Sequence, residues 1–336
     1  MHMADALISP VVGITMLVAT SAVAGYSIKK VKNEINEQKI PLMGVMGAFI
    51  FACQMINFAI PATGSSGHIG GGLLLAIFLG PYAGFLTILS VLLIQALFFA
   101  DGGLLAFGCN VFNMGFYTCF IAYPLIYKNI INKSYTKPRI FIGSLLAAIV
   151  GLQLGAFSVV LETFFSAKTE LSFINFVMLM QPIHLAISIV EGLITATIVI
   201  FIYSIKPEIL ENKAKEKRPT KNVIIIFIIM VIVIGGFVSL FASSNPDGLE
   251  WSINKVTGQE ELEVNDELYN SLAEVQENTA ILPNYSFKGI EQGESLSVDN
   301  LGNSVSGIVG GALTLFLVVI IGLLIRLFKK KKIDLE

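Results

Sequence analysis

Nine apolar stretches, at 8–28, 41–60, 69–79, 82–100, 103–127, 140–165, 173–203, 222–243 and 305–328, dominate this chain of 336 residues. A helix rises about 1.5 Å per residue and the hydrocarbon of a bilayer is about 30 Å thick, so roughly 20 apolar residues make one crossing. All but 69–79 approach or exceed that length. Composition agrees: 54% of the residues are hydrophobic and only 14% charged, where a soluble domain carries about a quarter charged. That balance excludes a soluble enzyme, a nucleic-acid binder and a disordered scaffold. Thirty glycines and 24 phenylalanines suit helices packed closely in lipid. The expected fold is an all-α integral membrane protein, with seven helices in a first unit and two more toward the C-terminus.

The basic residues orient these segments. Lys29, Lys30, Lys32 and Lys39 lie between the first two stretches, and Lys128, Lys133, Lys137 and Arg139 follow the fifth. Lys206, Lys213, Lys215, Lys217, Arg218 and Lys221 follow the seventh, while Arg326 and Lys329–Lys332 close the chain. Together these are 19 of the 22 Lys and Arg residues. With nine crossings and the N-terminus outside, all four clusters share one face, which the positive-inside rule makes cytoplasmic. That parity requires 69–79 to cross or to be paired with another irregularity. The expected location is a prokaryotic cell membrane, crossed many times, with the C-terminus cytoplasmic. MHMADALISP has no Lys or Arg, so it lacks the basic region of a cleaved signal peptide.

The polar run 206–221 divides the chain into units 1–205 and 222–336. Residues 244–303 carry twelve Asp and Glu against two Lys and fall on the extracytoplasmic side. They read either as a small folded module around Trp251 or as a solvated acidic linker.

Histidine is scarce, limited to His2, His68 and His184. The topology puts His2, His68 and Asp101 on one face, and ionisable groups near lipid tend to mark sites. In Met1-His2 the terminal amine, the His2 amide nitrogen and the His2 imidazole can close fused five- and six-membered chelate rings. Such a planar nitrogen set suits Ni(II) or Cu(II), and His68 would supply a fourth nitrogen. Met1 is expected to stay in place, because methionine aminopeptidases favour a small second residue. His184 and Glu191, seven residues apart on one helical face, read either as a buried polar network or as a metal or proton relay. Asn57, Asn110 and Asn113 lie in apolar segments and could steady a ligating imidazole. Cys53, Cys109 and Cys119 form no CxxC spacing and read as buried small hydrophobes.

MHMADALISP, INFAIPATGSSGHIGGGLLLAIFLGP, LFFADGGLLAFGCNVFNMGF and HLAISIVEGLIT resemble the CbiM/NikM family of substrate-capture subunits in energy-coupling-factor nickel and cobalt importers. The resemblance covers about residues 1–205. PDGLEWS at 246–252 is similar to the signature of the PDGLE module, a counterpart of the small N subunit of such importers. The resemblance implies a seven-helix unit whose N-terminal segment inserts into the bundle. It also implies Ni2+ or Co2+ as transported substrate, with no permanent cofactor, held by Met1, His2 and His68. Asn57, Ser66, Asp101 and Asn110 take supporting places in it. One departure is visible: MHMADA lacks the glycine common in the opening residues of the family.

No GxxxxGK[ST] loop is present, so the chain is not expected to hydrolyse ATP or act as an enzyme. The resemblance implies separate partners, namely two ABC-type ATPase subunits and a transmembrane coupling (T) protein. The alternative is a stand-alone ion-coupled divalent metal transporter, which calls for midplane carboxylates; Glu162 and Glu191 offer only a thin version of these.

Overall fold

The computed structural model describes residues 1–35, 38–169, 171–210, 221–259, 262, 264, 266–288 and 296–333. Helix α1 (Pro10–Glu34) begins where Ser9 Oγ accepts from Val12 N, with Pro10 in the first turn, where no intrahelical donor is needed. Its Val11, Ile14 and Val18 face outward, as suits a helix bordering lipid. Helix α2 (Lys39–Gln54) is buried almost without a break from Leu42 to Gln54, the signature of a central helix that is apolar all round.

Next comes a small hairpin, β1 (Phe58–Ile60) against β2 (Ser65–Gly67), with Phe58 opposite Gly67 and Ile60 opposite Ser65. Helices α3 (Gly72–Leu79) and α4 (Pro81–Phe98) are joined by Gly80 alone, whose φ of 81° a side chain would disfavour. Helix α5 (Phe107–Ile131) is wound as a π-helix from Phe112 to Tyr127. The first unit ends with α6 (Lys137–Ser166) and α7 (Phe173–Ile205). Beyond it lie α8 (Lys221–Gly236), α9 (Gly248–Thr257), α10 (Glu267–Thr279) and α11 (Leu296–Ile333).

Among the described residues, α1, α4, α5, α6, α7, α8 and α11 are long and apolar enough to cross a membrane. Two expected segments differ. The stretch 41–60 is helical only to Gln54, because Phe58–Ile60 pairs as a strand instead. The stretch 69–79 yields the eight residues of α3, about 12 Å of helix. The backbone from His68 to Gly71 that leads into it is irregular, and protein groups satisfy its buried amides.

The C-terminal helices pack on this bundle rather than beside it. A Cβ on Gly44 of α2 would lie 2.8 Å from Val319 Cγ2 of α11, and one on Gly307 would lie 2.8 Å from Gly235 Cα of α8. Glycine at these crossings lets the helices approach closely. Phe227 of α8 sets its ring edge-on to Phe49 and Phe78.

The acidic region is a folded module over the end of the bundle. Trp251 Nε1 donates to Thr63 O at 3.0 Å, and Gln276 Nε2 donates to the carbonyls of Ala96 and Gly102, each at 2.9 Å. Residues 211–220 of the expected joint, and 260, 261, 263, 265 and 289–295 of the acidic region, lie outside the described residues.

Candidate metal centre

The first eight residues thread into the bundle. Met3 is fully buried, and Asn110 of α5 clasps its backbone from both sides: Oδ1 accepts from Met3 N at 2.7 Å and Nδ2 donates to Met3 O at 3.1 Å. Gly103 N also donates to Met3 O at 2.9 Å, and Asp5 Oδ1 accepts from Ala106 N at 2.9 Å. Any side chain at Gly103 would collide here, since its Cβ would stand 1.8 Å from Asp5 Oδ1. Tyr269 of α10 donates its hydroxyl to Ile8 O at 2.8 Å, closing the segment from above.

The loop bearing His68 is held as firmly. Glu191 Oε2 accepts from Gly70 N at 2.6 Å and Oε1 from Gly71 N at 3.1 Å. Gln54 Nε2 donates to Gly70 O at 3.0 Å, while Gln95 Nε2 donates to Gln54 Oε1 at 2.9 Å. These groups are buried, so each unmade bond would cost about 1–3 kcal/mol.

The two frames bring His2 and His68 face to face, ring centroids 5.1 Å apart and planes 13° from parallel. His2 Nδ1 stands 3.3 Å from Asp101 Oδ1, and Tyr285 donates its hydroxyl to Asp101 Oδ2. Burial, then the nearby terminal ammonium, lowers the His2 ring to about 3. Burial, then the ammonium and His2, lowers His68 to about 4. Both rings are therefore neutral near pH 7, and the His2–Asp101 contact is a hydrogen bond rather than an ion pair. His68 Nδ1 lies 3.2 Å from the Ile69 carbonyl; donation of its proton there leaves the lone pair on Nε2.

The Met1 amine is 3.0 Å from Asp247 Oδ2. Burial opposes ionisation of Asp247, yet the ammonium, with the Glu250 amide donating to it, holds it below the usual carboxylate range. Burial and the Asp247 charge raise Glu250 to about 8. Met1, His68, His184 and Asp247 line a cavity of about 10 Å³, the space of one water-sized sphere. A larger one of about 480 Å³ adjoins it, bordered by His2, Asn57, His68, Asp101 and Asp247.

Met1, His2, Ser66, His68, Asp101 and Asn110 thus lie close together. Ser66 acts by holding the later module, its N donating to Pro246 O and its Oγ to Asn245 O, both at 2.7 Å. Asn57 borders the larger cavity, its carbonyl accepting from Ser243 N at 2.7 Å. His184 and Glu191 do not join in a network. Seven residues along a helix is about 10 Å, so each finds its own partner: Glu191 the two glycine amides, and His184 Nδ1 the Met180 carbonyl at 2.8 Å. His184 Nε2 is buried and has no hydrogen-bond partner among the described residues. The three cysteines are free and buried.

Sequence reasoning missed Asp247, Tyr285 and the Gln54–Gln95 pair. Asp247 alone carried a signal, the Asp-x-x-Glu pattern of a capping box. Among the described residues, no three His, Cys, Asp or Glu side chains come within joint reach of one ion.

Comparison with known proteins gives the family. The CbiM family model, described as the cobalt uptake substrate-specific transmembrane region, matches residues 2–209, and the PDGLE domain matches 221–327. A protein of Archaeoglobus fulgidus named as a fused nickel transport protein, NikMN, is 32% identical over 94% of this chain and 96% of its own length. One of Lactiplantibacillus plantarum named as a fused nickel transport protein, LarMN, is 35% identical over 46% of this chain and 49% of its own. The crystal structure of a transition metal transporter superposes with a TM-score of 0.54 at 31% identity, covering 62% of this chain and 95% of that one. The chain therefore belongs to the CbiM family, as a multi-pass membrane protein of the nickel and cobalt transport type that also carries a PDGLE domain.

Proposed function

We propose that this chain is the substrate-specific membrane subunit of an ATP-driven energy-coupling-factor importer, capturing Ni2+ or Co2+ at the extracytoplasmic face. Residues 1–205 form the capture unit, and 222–336 form the N-like module. The ligands are the Met1 amine, the His2 amide nitrogen, the His2 imidazole and the His68 imidazole. The observation that carries this reading is the burial of Met1-His2 beside His68, fixed by the clasp of Asn110 on Met3.

The residues divide the work. Burial keeps both rings neutral, so His68 offers Nε2, and His2 offers Nδ1, the atom its six-membered chelate ring needs, once that nitrogen passes from Asp101 to the ion. Asn110, Asp5 and Gly103 position the terminus, while Glu191 and Gln54 position the His68 loop. Ligands placed in advance lose little freedom on binding. Planar nitrogen ligation leans toward nickel. ATP hydrolysis falls to two separate ATPases acting through a coupling protein, which turn the site inward.

The test is Ni2+ and Co2+ binding to the purified full chain, with Met1 confirmed by intact mass, against the same chain acetylated at its terminal amine. Acetylation removes one nitrogen ligand and changes no side chain. Binding should collapse, and the ion held more tightly by the free amine is the substrate. Undiminished binding by the acetylated chain refutes the proposal.

A further inference from the structure

Asp247 lies 246 positions from Met1 and belongs to the PDGLE region, yet its Oδ2 meets the terminal amine at 3.0 Å. It is aimed there by a rigid frame. Its Oδ1 accepts from Leu249 N at 2.7 Å and from Glu250 N at 2.9 Å, while Glu250 Oε2 accepts from Asp247 N at 2.9 Å, a complete capping box on α9. The residues before it are bonded to Ser66, two positions from His68. On its other side Gly248 sits so tightly that a Cβ would lie 3.1 Å from both His184 Cε1 and Ile187 Cδ1. One carboxylate oxygen serves the helix; the other faces the amine.

We infer that Asp247 is the counter-charge of the metal centre, a positioning residue supplied by the PDGLE region that steadies the terminal nitrogen beside His68 and balances the ion after capture. The inference rests on the ligand set proposed above, and its basis is a count of charges. Before the ion arrives the terminal ammonium carries one positive charge and the His2 amide none. Capture of a divalent ion releases one proton from the ammonium and one from the amide, both into the adjoining cavity of about 480 Å³. Two ionic charges then stand against one amide anion. The centre is singly positive before and after, and a single fixed carboxylate matches it in both conditions. With Asp247 included, a divalent ion leaves no net charge, whereas a monovalent ion in the same ligands would leave one negative charge and a trivalent ion one positive. The nearby carboxylates bond to other groups, Asp101 to His2 and the Tyr285 hydroxyl and Glu250 to the Asp247 amide, while Asp247 meets the amine directly.

The test measures the Kd for Ni2+ with the full chain in detergent, for wild type, Asp247→Asn, Asp247→Ser and the acetylated chain. Asn and Ser both cap helices as Asp does, so each variant keeps α9 and loses only the charge; two shapes guard against one misfolding. Both should raise Kd about 10- to 100-fold, the usual loss when a group supporting a metal ligand is removed, with the nickel absorption band unmoved. Wild-type affinity in both variants, with the acetylated chain still unable to bind, overturns this inference and leaves the capture reading standing. Binding by the acetylated chain overturns both. A displaced band in the Asp247 variants identifies the carboxylate as a ligand and overturns the counter-charge role.

Discussion

Replacing Asn110 by Leu tests whether the terminus is held by the clasp on Met3. Leu keeps the branching of Asn at Cγ, with bulkier branches, while both bonds to Met3 disappear. The Met3 carbonyl keeps Gly103 N as a donor, but no hydrogen bond from Met3 N to any other acceptor is seen. An orphaned buried donor costs about 1–3 kcal/mol and the second lost bond about 0.5–1.5 kcal/mol. The docked terminus should therefore weaken by about 2–4 kcal/mol, a factor between roughly 30 and 700 at about 1.4 kcal/mol per decade. Native-state hydrogen exchange on a peptide covering residues 3–8 reads this directly, because its amides exchange when the segment lifts out. Metal affinity then falls by the fraction of chains left docked. Exchange within threefold of wild type would refute the clasp as the device that holds the ligands.

Two further outcomes follow from the same geometry. Gly103→Ala should abolish Ni2+ binding with helix content intact by circular dichroism, because the new Cβ would fall 1.8 Å from Asp5 Oδ1 and force the terminus out; near-normal affinity would mean that the segment can be displaced without cost. Ni2+ affinity should rise by up to about a hundredfold per pH unit between pH 5 and 8, since one proton leaves the ammonium and one the amide with each capture. The rings add no competition of their own until pH falls toward about 4 for His68 and about 3 for His2. Without the ion, the docked terminus itself should loosen as pH drops below about 6.5, where undocked rings take up protons that the buried ones refuse. A flat affinity profile across that window argues against amide ligation.

The bilayer made much of this architecture legible, because length and apolarity alone identify a crossing helix. The short α3 and the hairpin were hidden for the same reason: Phe58, Ala59 and Ile60 are as apolar as the helix before them, and apolarity does not distinguish a strand from a helix end. Met1, His2 and His68 could be put forward as candidates because chelate rings are local chemistry and histidine is rare in this chain. Asp247 could not, since its partner lies at the far end of the chain and no pattern in one sequence links the two. His184 and Glu191 illustrate a different limit, in that periodicity gives the face a residue occupies but not its depth along the axis.

Helix α11 lies along α2, with Leu315 and Val319 over Gly44 and with Thr314 and Val318 over Gly47. That contact sets a stoichiometry. A separate small subunit must find each capture unit by diffusion in the membrane, and its occupancy would vary with expression. A tethered one meets its partner at an effective concentration that for short flexible linkers is on the order of millimolar. Every copy of this chain therefore carries one Asp247 for one Met1, whatever the level at which it is made.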